Sequence, residues 1–436
     1  MGVRLEWLRM DHDHAASLRL TLLGAISGLL AALVVLAFRS AIEWGHWLLL
    51  PSAAADGYEA LPASARLALP LAAGLLLGIA FDLLPRRQRE VGVTHVLKRL
   101  QSPGREQLPL SNMLVQFGAA VVAIVGGHSV DREGPAVHLG AGSASFVGSW
   151  LGLDAEEERT LLAAGAAAAI AAAFDTPLAG VVFSIEVLRI RYQVTRFLPV
   201  IVAAVTGAMA SRMLSLQHPG VPVVPEHLGA HWEILAMLAL GGGIGLLAVA
   251  FSALAIRLLR RTGGWPCSIT FTLAGLVTGI LALATPQIMG ISYDTLALML
   301  LGQAELVVVL PLVATKLIAT AVSIGLRVPG GLIGPTLFIG GAAGSTLGLL
   351  LAATGVEQAA SAGFYATIGM AAMMGATLRA PLAALTALLE LTANPNIILP
   401  GMLAVATAEL VSRAWRGERS VFELLLNAQP TDTPKH

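Results

Sequence analysis

The sequence predicts an all-α polytopic membrane protein made of two homologous halves with many short, broken helices. Three observations carry that prediction. Of 436 residues, 56% are hydrophobic and only 12% charged, with a mean hydropathy of +0.77; such a chain belongs in a bilayer. Its apolar runs are repeatedly cut by Gly and Pro, the pattern of transporters and channels with discontinuous helices. Motifs also recur at a nearly constant offset, the mark of an internal repeat.

Composition excludes several classes. A formal net charge of zero leaves no basic excess for nucleic acid. The single cysteine, Cys267, excludes an internal disulfide and a cysteine-based metal cluster. Residues 1–19 carry Arg4, Arg9, Asp11, Asp13 and Arg19 with no apolar core, so no cleavable signal peptide is evident.

The elements follow in order. Leu20 to Phe38 is the cleanest spanning run, and the arginines before it place the N-terminus in the cytoplasm. Leu67 to Leu84 is a second span, ending in the basic cluster 85–89. The runs 112–125, 161–174 and 177–187 are shorter than the roughly 20 residues of a full crossing. Ile234 to Leu259 is long enough to cross tilted. Further runs cover 269–284, 306–324, 336–351, 365–378, 381–391 and 397–411. All seven tryptophans stand near the ends of segments, as an interfacial belt would place them.

The repeat is read from pairs. Gly134-Pro135 precedes Gly140, and Gly334-Pro335 precedes Gly340. Asp175-Thr176-Pro177-Leu178-Ala179 resembles Arg379-Ala380-Pro381-Leu382-Ala383, with Glu186 and Glu390 each nine residues past the proline. The offset drifts only from 200 residues (134 to 334) to 204 (165 to 369). Two such halves place a binding site between them near the midplane.

The first half focuses on Asp131-Arg132-Glu133-Gly134-Pro135, a carboxylate-bearing helix start inside an apolar sequence. Proline suits the first helical turn because its missing N–H would be unpaired there. A helix N-terminus presents free N–H groups and about half a positive charge, so it attracts anions. Glu133 is the candidate anion that fills this place when nothing else does. The second half supplies Gly330-Gly331-Leu332-Ile333-Gly334-Pro335. If the two starts converge, their N–H groups make a cage of several modest donors. Such a cage suits a dehydrated chloride that must also leave.

These motifs resemble the CLC family of chloride channels and proton-coupled chloride exchangers, of the prokaryotic type without C-terminal CBS domains. Residues 131–135 match the family's G-R-E-G-P, with Asp131 for its first glycine. Residues 330–335 match G-G-x-F-x-P, with Ile333 for the aromatic. The likeness covers roughly residues 20–425 in order. It implies two inverted-topology repeats of short, tilted helices and a homodimer with one pore per subunit. It also implies anion sites formed by the N–H groups of Arg132, Glu133, Gly134, Leu332, Ile333 and Gly334, with Glu133 as gating and proton-carrying glutamate. Chloride would be the transported ligand, and no cofactor is implied.

The departures from the family pattern shape the expected activity. The first motif, G-S-G-I-P, falls on 90–94, so Val91 replaces the chloride-coordinating serine beside Gly92. Phe422 replaces the pore tyrosine, Val187 the exchangers' internal proton-transfer glutamate, and Gln116 a frequent lysine. Both site hydroxyls are therefore gone. Glu186, next to Val187, is the remaining candidate for a proton pathway, although its repeat partner Glu390 favours a structural role. The expectation is passive or weakly proton-coupled chloride permeation. Chloride/proton antiport is the alternative, and a fluoride-handling relative a second one.

Other candidates stand beside this reading. Asp11-His12-Asp13-His14 has metal-ligating residue types, but a solvated polar tail explains it better. His128-Ser129 raises an intramembrane serine hydrolase, a different class, yet no G-x-S-x-G elbow is present. The expected organisation is a cytoplasmic segment 1–19, a membrane domain 20–425 with repeats at about 20–215 and 230–425, and a polar tail 426–436 too short for a nucleotide-sensing module. A prokaryotic plasma (inner) membrane is the expected location.

Overall fold

The structure, a computed structural model, describes residues 2–50, 57–102, 107–190, 194–214, 228–355 and 359–428; side chains of residues 2–16 and 194–196 fall outside the description. Seventeen α-helices and no strand occur among the described residues. In the first half they are α1 (Gly2–Leu49), α2 (Ala63–Leu83), α3 (Gly92–Gln101), α4 (Leu110–Val125), α5 (Glu133–Trp150), α6 (Ala155–Phe174), α7 (Pro177–Glu186) and α8 (Val194–Leu214). The second half holds α9 (Glu233–Thr262), α10 (Cys267–Ala284), α11 (Tyr293–Leu300), α12 (Leu306–Gly325), α13 (Ile333–Ala353), α14 (Ala362–Leu378), α15 (Pro381–Thr392), α16 (Ile398–Arg416) and α17 (Val421–Ala428). Eight helical stretches among the described residues are long and apolar enough to cross a bilayer.

Several elements differ from the sequence reading. Helix α1 runs without interruption from Gly2 to Leu49. The sequence reading offers no run for α3 or α11. Helix α3 has alternating polar and apolar faces rather than an apolar run: Val93, Val96 and Leu97 are buried, while Lys98 and Arg99 reach outward. Helix α11 is only eight residues long, too short for a length-based criterion. Helix α8, though apolar in composition, likewise has no counterpart among the expected runs.

The two halves are built alike. Helices α5 and α6 cross where a side chain on Gly140 would collide with the Gly165 carbonyl. Helices α13 and α14 cross in the same way at Gly340 and Gly369. In an apolar medium close backbone approach replaces the hydrophobic drive for association, which explains glycine at both crossings. Asp175 and Arg379 both take the left-handed conformation, at φ 60° and 58°, and end α6 and α14. The prolines that follow open α7 and α15.

Glu186 and Glu390 tie the halves together. Both Glu186 carboxylate oxygens accept from the start of α15, at Leu382 N (3.1 Å) and Ala383 N (2.7 Å). Glu390 accepts from Leu178 N and Ala179 N of α7, both at 2.8 Å. Each half thus caps the other's helix with a charge that also complements the helix dipole. Many large apolar side chains remain exposed on the outer surface, including Leu22, Leu76, Leu235, Leu310 and Leu399. Trp44, Trp47, Trp150, Trp265 and Trp415 are exposed near helix ends, where amphipathic rings suit the membrane interface.

Candidate functional site

The starts of α5 and α13 meet. Asp131 and Gly331 exchange backbone hydrogen bonds, N to O at 3.1 Å in both directions. The approach is closer than any side chain allows: a Cβ on Gly331 would overlap Asp131 Oδ1 and lie 2.6 Å from Gly134 N. Likewise a Cβ on Gly134 would lie 2.6 Å from Gly331 Cα. The expected convergence of two Gly-Pro helix starts is therefore present, deep in the protein. Asp131, Glu133, Gly134, Leu332, Ile333 and Gly334 are all buried.

The carboxylate between the two starts is Asp131. Its Oδ1 accepts from Gly134 N at 3.1 Å, and its Oδ2 from Gly334 N in a very short bond. One side chain thus bridges the free N–H groups of both helices. In this structure Asp131, rather than Glu133, accepts from these two N–H groups. The reason is reach and partner: the short Asp131 side chain caps locally at a spacing of three residues, while Glu133 turns to another acceptor-seeking group. Tyr293, the first residue of α11, donates its hydroxyl to Glu133 Oε1 at 2.6 Å. Arg132 Nε lies 3.3 Å from the same oxygen, and its guanidinium sits 5.4 Å from the Tyr293 ring centroid. Glu133 Oε2 is buried without a hydrogen-bond partner. It remains next to the cage, 3.4 Å from where a Cβ on Gly334 would stand.

Tyr293 was not legible from the sequence, because 160 residues separate it from Glu133. It is held in place by its loop. The buried Lys316 ammonium donates to Ile288 O (2.9 Å), Gly290 O (3.1 Å) and Ser292 Oγ (2.9 Å). It also lies 5.0 Å from the centroid of Phe338 on α13. Oxygen acceptors thus satisfy the Lys316 amine inside the apolar interior, as a buried polar group requires.

The remaining expected residues lie on α3 and α17. Val91 precedes α3, and Gly92 opens it with φ +79°. Beside Gly92 stands Gln116 of α4, fully buried, with neither amide atom hydrogen-bonded to protein. Its Oε1 is 3.9 Å from where a Gly92 Cβ would be. Phe422 is buried on α17, which packs against α3; it shares one apolar cluster with Val93, Leu332 and Ile333. Positions 91 and 422 carry no hydroxyl, and the polar group beside Gly92 is the Gln116 amide.

The serine-hydrolase reading finds no support in the geometry. Ser129 Oγ is hydrogen-bonded to Thr320 Oγ1 at 2.9 Å, and both ring nitrogens of buried His128 lack protein partners. No nucleophile–base pair forms there. Residues 11–14 lie outside the described side chains, and no metal-ligating cluster occurs among the described residues.

Broken helix starts that converge around buried carboxylates, among eight helices long and apolar enough to cross a bilayer, fit a membrane transport protein. The family profile described as "Voltage gated chloride channel" matches residues 73–413. A chloride channel protein of Ralstonia nicotianae described as ClcB-like is 31% identical over 431 residues, 94% of this chain and 97% of that protein. The H(+)/Cl(-) exchange transporter ClcA of Salmonella arizonae is 27% identical, covering 94% of this chain and 89% of its own length. The crystal structure of a slow cyanobacterial Cl-/H+ antiporter superposes with a TM-score of 0.81 at 23% identity, over 94% of this chain and 97% of that one. The chain belongs to the CLC family of voltage-gated chloride channels and is an integral membrane protein with the CLC-type fold.

Proposed function

We propose that this protein carries chloride across the membrane through the cage between α5 and α13, with Glu133 as gate and little or no coupling to protons. The observation that carries the reading is the meeting of two helix starts around one buried carboxylate. N–H groups that donate to a carboxylate here also suit a halide of like charge. Weak coupling rests on Val187, which is buried and apolar where exchangers of the family carry a glutamate. The neighbouring Glu186 has both oxygens committed to capping α15, which supports a structural role over proton transfer. Antiport and fluoride handling are the other outcomes of the same assay. By family likeness the protein works as a homodimer with one pore per subunit, in a bacterial inner membrane with its N-terminus in the cytoplasm.

The test is chloride flux from liposomes, followed together with external pH. Chloride release without a fixed proton stoichiometry is expected. Chloride-driven proton uptake at constant ratio would establish antiport instead. Glu133→Gln is expected to change the rate and abolish its pH dependence; unchanged flux and unchanged pH dependence would remove Glu133 as the gate.

A further inference from the structure

Asp131 stands where the family motif has glycine, and the gating role above does not use it. Each N–H it occupies has one proton to give. While Gly134 N and Gly334 N serve the Asp131 carboxylate, they cannot also serve an ion. Resting on the anion-permeation reading, we propose that Asp131 is a built-in competitor that holds the anion cage, so that chloride binds only when this carboxylate is displaced.

Three features support the assignment. The carboxylate touches both helix starts rather than its own alone, so it does more than a local cap: α13 lies 203 residues away. The Asp131 backbone is pinned on both sides by Gly331, so it is the side chain that must turn, a change of rotamer and not of fold. Glu133 is already engaged by Tyr293 and Arg132, with its second oxygen adjacent to the same cage. The gate therefore has two acidic parts, one seated and one parked beside it. A ligand whose site is open only part of the time binds more weakly by that fraction. Chloride affinity is accordingly set by how firmly Asp131 sits.

The experiment is chloride titration of the purified full-length protein by calorimetry, with valinomycin-assisted chloride efflux from liposomes. Wild type, Asp131→Gly and Asp131→Asn are compared, each also in a Glu133→Gln background. Asp131→Gly is expected to bind chloride about tenfold more tightly or better, because the competing charge-assisted bonds are gone. Asp131→Asn, which keeps shape but not charge, is expected to fall between, and the gain is expected to persist with Glu133→Gln. If Asp131 only clamps the fold, Asp131→Gly melts lower while chloride affinity and efflux stay within about twofold of wild type, and the proposal fails. Should Asp131→Gly not give monodisperse protein, Asp131→Asn decides by the same criterion. Efflux that ignores Asp131 defeats this assignment alone. Absence of chloride binding and efflux in every folded variant, wild type included, defeats the permeation reading as well.

Discussion

Gly331→Ala tests the convergence of the two helix starts directly. The added methyl would overlap Asp131 Oδ1 and approach Gly134 N to 2.6 Å. One of these neighbours is backbone, and the other is a side chain anchored at both ends of its hydrogen bonds. Neither can yield unless α5 and α13 move apart. Separation weakens the paired 3.1 Å backbone bonds between Asp131 and Gly331 and the bond from Gly334 N to Asp131. Overpacking costs about 1–3 kcal/mol, and each net hydrogen bond lost costs about 0.5–1.5 kcal/mol. For the three bonds the total is roughly 2.5–7.5 kcal/mol, large for one methyl group. Thermal unfolding in detergent should show a clear fall in melting temperature, and chloride efflux should drop with it. Gly243→Ala is the control: nothing lies within 4 Å of its Cβ position, so it should be neutral or slightly stabilising. If Gly331→Ala melted and conducted like the wild type, the two starts would not meet as described.

Two further outcomes follow from the same structure. Glu186→Ala and Glu390→Ala each remove two charge-assisted bonds to the opposite half's helix start. Each should cost about 1–2 kcal/mol in detergent melts; a loss confined to one of them would contradict the reciprocal capping. Lys316→Met leaves the Ile288 and Gly290 carbonyls and the Ser292 hydroxyl without the ammonium donor. A loss of about 2–4 kcal/mol is expected, with altered efflux, because Ser292 precedes the tyrosine that holds Glu133; melting unchanged from wild type would show that the ammonium contributes no net stability.

The sequence by itself determined the membrane class, the two-fold repetition and the cage-forming motifs. Those properties are local or periodic. Apolar runs report bilayer-spanning length, Gly-Pro marks a helix start, and matched pairs such as Gly165 with Gly369 need no coordinates to be seen. Short helices escaped because their stability comes from packing: α3 buries one face on its neighbours, and α11 is fixed by Lys316 from α12. Which carboxylate sits in the cage was decided only by the tertiary structure. Asp131 and Glu133 are two residues apart, and both are acidic. Their separate fates depend on Gly334, far along the chain, which bonds the first, and on Tyr293, which bonds the second. Hydrogen-bond partners brought together by folding across such distances leave no periodicity or spacing in the chain, so residues 131–135 hold only the local bond from Gly134 N to Asp131 and not the bonds from Gly334 and Tyr293.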